Sequence, residues 1–178
     1  ILFKETPEID YSRVIDSFSS VNWVREGVFH EDLLKSINQS DEYIMFGCDD
    51  VVFTGPFNLE FAKNILQENA DIFGFSFRLG NNIEPQPKDS ISSEGYRVWQ
   101  WPEISEPHYN YPWELDCTLY RKSDIQDMLI AHGANIRSPN YFEGDFAVNA
   151  SKYISRKKLA CLTDKSKAIV ITVNAVQD

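Results

Sequence analysis

Eleven consecutive residues, Tyr43-Ile44-Met45-Phe46-Gly47-Cys48-Asp49-Asp50-Val51-Val52-Phe53, constrain what this chain can fold into more than any other stretch. Among the first six only Gly47 is neither apolar nor aromatic, and nothing polar alternates with them. That pattern suits a strand covered on both faces of a parallel sheet. Two adjacent carboxylates follow. Like charges at the end of a buried strand imply that the chain emerges into water there, or that a cation lies between them. Ligands of open α/β sheets collect at the carboxyl ends of strands, so Asp49 and Asp50 mark the expected site.

The flanking sequence has the same character. Ile1 to Lys4 reads as a short strand, and Tyr11, Val14, Ile15 and Phe18 follow at helical spacing. Val21 to Val24 is a second strand. Phe29, Leu33, Leu34 and Ile37 form an amphipathic helix whose start carries Glu31 and Asp32, the sign a helix N-terminus prefers. Beyond the aspartates, Gly55-Pro56 makes a turn, Asn58 is the expected N-cap, and Phe61, Ala62, Ile65 and Leu66 line a third helix. Asp71 to Phe77 alternates aromatic with small residues, as a strand packed on one face does. Strand and helix in alternation predict a largely parallel, right-handed α/β sheet.

From Gly80 to Trp113 the pattern breaks. Five prolines and several Asn and Ser residues interrupt any regular element, yet Tyr96, Trp99, Trp101, Tyr109, Tyr111 and Trp113 are concentrated there. A long loop in a compact domain is commonly functional, and its aromatic loading argues against disorder. Order resumes with a strand at Leu115 to Arg121, then a helix opened by a Ser123/Gln126 capping box and closed by Gly133. Asn140 and Glu143 suggest a second capping box after Pro139, and a last apolar strand is expected from Ala168 to Val173.

Size and charge limit the function classes. At 178 residues the chain suits one domain, here read as a nucleotide- and metal-binding half at 1–79 and an acceptor half at 80–178 with the aromatic loop at 80–114. A formal charge of −10 lacks the basic stripe that nucleic acid or an anionic membrane surface requires. A polyanionic substrate would have to be held through a metal. Cys48, Cys117 and Cys161 are far apart and without ligand spacing, which favours free thiols in a reducing, cytoplasmic compartment. No apolar run is long enough to span a bilayer, which leaves only peripheral membrane contact open. The strand-like Ile1-Leu2-Phe3 start leads to the expectation that the sequence begins inside a fold.

Each candidate site residue has a chemical rationale. Asp49 and Asp50 fit Mg2+ or Mn2+, since such a cation takes one or two protein carboxylates and fills its other positions with water and substrate phosphate. Trp99, Trp101, Tyr109 and Trp113 offer flat apolar faces to a sugar ring. Glu143 and Asp145, at a helix start, supply carboxylates of the kind that act as a general base toward a hydroxyl. Arg25 and Arg78 follow strand-like runs from which they could meet a phosphate or a base.

With these pieces together, the chain resembles a GT-A type nucleotide-sugar glycosyltransferase of the family-2-like kind. Glu42 to Phe53 is similar to that family's strand ending in its Asp-X-Asp motif, and Pro112 to Arg121 to the segment after its acceptor loop. The resemblance implies a Rossmann-like, mostly parallel sheet flanked by helices. It also implies a nucleoside-diphosphate-sugar donor, a glycan or other hydroxyl acceptor, and Mn2+ or Mg2+. It places Asp50 on the metal-ligating aspartate, Asp49 on the middle position, Asp116 among the substrate contacts, and the acid of Phe142-Glu143-Gly144-Asp145 near the catalytic base. Cys48 stands where the motif has its first aspartate, and the family's first strand is expected to lie before Ile1. Two other readings remain at this stage: a metal-dependent phosphohydrolase, which would want an Asp-X-Asp-X-Thr pattern where Cys48 and Val52 stand, and a non-catalytic carbohydrate-binding domain using the aromatic loop alone.

Overall fold

The computed structural model describes residues 1–171 apart from Thr6, Glu8 and Ala134. β1 (Leu2–Phe3) and β2 (Val24–Arg25) pair in parallel across helix α1 (Ser12–Ser17), as strand-helix-strand spacing predicts. Phe3 gathers Tyr11 and Trp23 around it, with ring centroids 5.0 and 6.1 Å away. Helix α2 (Phe29–Gln39) buries Leu33 and Ile37 and leads into β3 (Tyr43–Met45). After the aspartates, β4 (Val51–Phe53) turns away to pair antiparallel with β10 (Ala168–Val170), the observed part of the expected last strand. Thr172 and Val173 lie outside the described residues.

Local signals were reliable for helix α3 (Leu59–Glu68), where the Asn58 side chain accepts from Phe61 N at 3.1 Å. Helix α4 (Lys122–His132) ends at Gly133, φ 64°, in the left-handed conformation that glycine adopts most easily. The anticipated Ser123/Gln126 box is not formed; Arg121 precedes the helix without a side-chain cap, and Gln126 Nε2 donates to Asn38 Oδ1. Helix α5 (Pro139–Val148) is capped by Ser138, whose Oγ accepts from Tyr141 N at 3.2 Å, with Pro139 in the first turn. Glu143 is therefore not a capping residue, and its carboxylate is released for another use.

The main sheet has six strands in the order β3-β8-β5-β9-β7-β6, adding β5 (Ile72–Ser76), β6 (Ser90–Ser92), β7 (Tyr96–Gln100), β8 (Thr118–Arg121) and β9 (Lys158–Leu162). It is mixed. β3, β5, β6 and β9 run one way, but only β5 and β9 pair in parallel, because β8 enters between β3 and β5 in the opposite sense. The expected dominance of parallel pairing is corrected accordingly. β3 is also an edge strand and only half-buried, rather than covered on both faces; the strand buried along its whole length is β5.

Residues alternate between the two faces of the sheet. Phe73, Tyr120, Leu159 and Cys161 join the cluster under α2, α4, α5 and the short α6 (Ala150–Tyr153), whereas Phe75, Leu119 and Ala160 join the one under α3. The segment expected to be an aromatic loop contributes the β6–β7 hairpin to the sheet, so its rings became core. Gly80 shows how tightly the following chain packs: a Cβ there would lie 2.4 Å from Ser166 N and 2.6 Å from Asp164 O. These are backbone atoms that cannot swing aside. Gly80→Ala is expected to cost at least about 1–3 kcal/mol, read as a lowered midpoint in urea unfolding; an unchanged midpoint would contradict this packing.

Candidate functional site

Three chain segments converge around Trp113. Its ring is fully buried and lies 5.7 Å from Phe46, just after β3, and 4.9 Å from Phe142 in α5. Its Nε1 donates to Phe142 O at 3.1 Å. Phe46 O in turn accepts from Cys117 N at 2.9 Å. One indole thus holds together the loop carrying Cys48 to Asp50, the stretch carrying Glu114 to Cys117, and the turn of α5 carrying Glu143.

Acidic side chains meet at this junction. A carboxylate oxygen of Asp50, one of Asp116 and the Sγ of Cys48 lie within 4.8 Å of one another. Asp116 Oδ1 is buried without any hydrogen-bond partner. Burial, then Glu114 and Asp50, hold the Asp116 carboxyl above the usual carboxylate range. Burial, then the charge of Asp116, lift Glu143 to about 7, although a hydrogen bond from the Tyr111 hydroxyl draws it the other way. Burial, reinforced by Asp116 and Glu143, pushes the Cys48 thiol up to about 12. An orphaned oxygen among mutually repelling acids is a group short of positive charge, which a divalent cation would supply. The residues present fit such an ion.

Beneath the acids sits a buried ion pair. Arg78 donates through Nε, at 2.5 Å, and through Nη2 to Glu114 Oε2, while Ser76 and Thr118 hydroxyls donate to Glu114 Oε1. Cys117, at φ 60°, takes a left-handed conformation that costs a non-glycine residue on the order of 1 kcal/mol. Bonds from Cys117 N to Phe46 O and from Phe77 N to Cys117 O hold it there.

The expected site residues divide. Asp50, Asp116 and Glu143 are brought together; Asp49 is beside them on the turn but exposed. Asp145 is not: its Oδ2 lies 2.6 Å from His132 Nε2 and its Oδ1 accepts from Asn149, so it ties α5 to the end of α4. Arg25 is exposed and pairs with Glu5 at 2.6 Å. Trp99, Trp101, Tyr109 and Trp113 are 2%, 5%, 0% and 0% exposed. Their polar atoms are used internally, on Tyr109 O, Arg156 O, Gly80 O and Phe142 O respectively. Their expected service as sugar platforms gives way to core packing, since a side chain with no free face cannot stack on a ligand. The residues missed were Tyr111, whose partner is Glu143, and Glu114, the acid that anchors Arg78. Tyr111 stood out only as one ring of the aromatic segment, and Glu114 only as part of the Pro112 to Arg121 stretch.

Shape and chemistry do not coincide. A hollow of about 340 Å³ lies elsewhere, lined by Thr54, Asn82, Ser166 and Lys167 among others. Its one acid, Asp164, is already paired with Lys167 at 2.8 Å. We place the candidate site at the acids, where the buried Asp116 Oδ1 lacks a partner. Among the described residues no helix is long and apolar enough to cross a membrane.

Fold and site together define a mixed α/β protein with a carboxylate cluster at the ends of its strands. No family model matches the chain. It is similar to the bifunctional glycosyltransferase pgtA of Dictyostelium discoideum, with 29% identity over 202 residues covering 94% of this chain. The chain spans 26% of that protein's length.

Proposed function

We propose that this chain is the nucleotide-sugar-binding and catalytic part of a glycosyltransferase of GT-A type, moving a sugar from a nucleoside diphosphate to a hydroxyl acceptor. The observation that carries this reading is the meeting of Asp50 and Asp116 with Glu143 beside them. The likeness to a protein named as a glycosyltransferase supports it. Asp50 and Asp116 are the residues that would hold Mn2+ or Mg2+, with Asp49 next to Asp50 on the same turn. Such a cation neutralises the charge that develops on a departing diphosphate.

The chain's own residues account for the rest. Glu143, freed from helix capping and lifted by burial, takes the proton of the acceptor hydroxyl as that oxygen attacks the sugar carbon. Tyr111 and the Leu115 N–H orient its carboxylate by hydrogen bonds. A carboxylate with a value near 7 is a stronger base than an ordinary one and still largely ionised just above neutrality. The Arg78–Glu114 pair, with its two hydroxyls, fixes the floor on which Asp116 stands.

Glu143 provides the test. A base acts when unprotonated, so transfer in the metal-loaded protein should rise with pH along a limb set by Glu143. In the metal-free chain Glu143 titrates near 7, and an added cation moves that midpoint down because positive charge favours the ionised form. Glu143→Gln should retain thermal stabilisation by nucleoside-diphosphate sugar with Mn2+ and lose transfer by about 100-fold or more. The assay supplies a panel of nucleotide sugars with simple hydroxyl acceptors, and reads release of nucleoside diphosphate. Transfer by Glu143→Gln at the wild-type rate would remove the assigned base. No consumption of any nucleotide sugar would remove the function.

A further inference from the structure

The cluster contains a donor that the proposed reaction does not use. Cys48 is half-buried, and its contacts are weak ones, with Leu115 O at 4.0 Å and with the Asp116 carboxylate. Its sulfur lies within 4.8 Å of the oxygens of both Asp50 and Asp116. Three donors bound to one ion at about 2.0–2.3 Å lie at most about 4.0 Å from one another when evenly spread, so shared coordination asks for movements of no more than about an ångström from the 4.8 Å bound. The buried, unpartnered Asp116 Oδ1 is a second and separate sign that a cation belongs there.

We propose that Cys48 is the third protein ligand of the cation held by Asp50 and Asp116, so that the centre favours thiophilic divalent ions such as Cd2+, Zn2+ and Co2+ over Mg2+. This rests on reading the cluster as the metal centre of the proposed enzyme. All-oxygen sites suit Mg2+, whereas one sulfur donor shifts preference toward softer ions. On binding, the S–H bond breaks, a sulfur–metal bond forms, and one proton leaves to solvent; no oxidation state changes. Mg2+, which does not displace a thiol proton, engages the two carboxylates alone. The other cysteines do not compete, since Cys117 and Cys161 are buried and neither is part of the cluster.

The test titrates the metal-free full chain with Cd2+ and separately with Mg2+, following thiolate-to-metal charge-transfer absorption and proton release. Wild type should show one charge-transfer band and release, per Cd2+ bound, one proton more than the Cys48 variants release. Cys48→Ser and Cys48→Ala should lose the band and bind Cd2+ about tenfold or more weakly, with Mg2+ affinity changed by less than about twofold. Asp116→Asn should weaken both ions. Absence of the band in wild type, or its persistence in both Cys48 variants, would overturn the assignment. The outcomes also separate this inference from the function: a Cys48-dependent band in a chain that consumes no nucleotide sugar sinks the function alone. Mn2+-dependent turnover without a band sinks the sulfur ligand alone.

Discussion

Asp50→Ala is expected to lower transfer from a nucleoside-diphosphate sugar by about 1000-fold, equivalent to about 4 kcal/mol of transition-state stabilisation. The midpoint of thermal unfolding should stay within a few degrees of wild type. Both halves follow from the placement of the residue. Asp50 sits on the turn between β3 and β4, and its backbone O accepts from Ile171 N at 2.9 Å whatever the side chain is. No described hydrogen bond or ion pair of the fold uses its carboxylate. Truncation therefore removes one of two charged oxygen donors without unpairing anything else, and it relieves repulsion on Asp116, whose elevation owes part to Asp50. In metal-free protein the variant should be as stable as wild type or slightly more so. Steady-state release of nucleoside diphosphate across a Mn2+ titration is the measurement. Undiminished turnover at every Mn2+ concentration would remove Asp50 from the mechanism.

The largest effect on stability is expected from Arg78→Met. The Arg78 and Glu114 side chains are 17% and 4% exposed, and two of the guanidinium nitrogens are spent on one carboxylate oxygen. Removing the cation leaves Glu114 facing only the hydroxyls of Ser76 and Thr118, inside the sheet and beside Asp116. Breaking a buried pair from one side costs about 3–5 kcal/mol, a large part of the 5–15 kcal/mol or so that a domain commonly has. Urea unfolding of the single variants and of Arg78→Met/Glu114→Gln forms a cycle, in which the double variant should recover part of the loss. A single variant within about 1 kcal/mol of wild type would show that the pair is not the anchor described here.

What could be read from the sequence was local. The Asn58 cap and the Gly133 stop each depend on a few neighbouring residues, and each stands as expected. Pairing across the sheet was not legible. Nothing near Thr118 to Arg121 states that this strand will enter between β3 and β5, and the Lys158–Leu162 strand passed unnoticed because its length and pattern are ordinary. The aromatic segment misled for a physical reason: tryptophan and tyrosine serve equally well as ligand platforms and as core, and only the antiparallel partners of β7 decide between the two. Asp116 was visible as an acid but not as the companion of Asp50, since their meeting depends on a hydrogen bond between Cys117 and Phe46 far apart in sequence. Glu143 was singled out for its helix start, and its freedom came from Ser138 taking over the cap.

The arrangement around Trp113 has a mechanical corollary. Because a single rigid ring touches Phe46 and Phe142 and belongs to the same stretch as Asp116, none of the three loops can shift without jostling the other two. An ion held at the acids would therefore press on α5, the helix that carries Glu143, through the Trp113 ring.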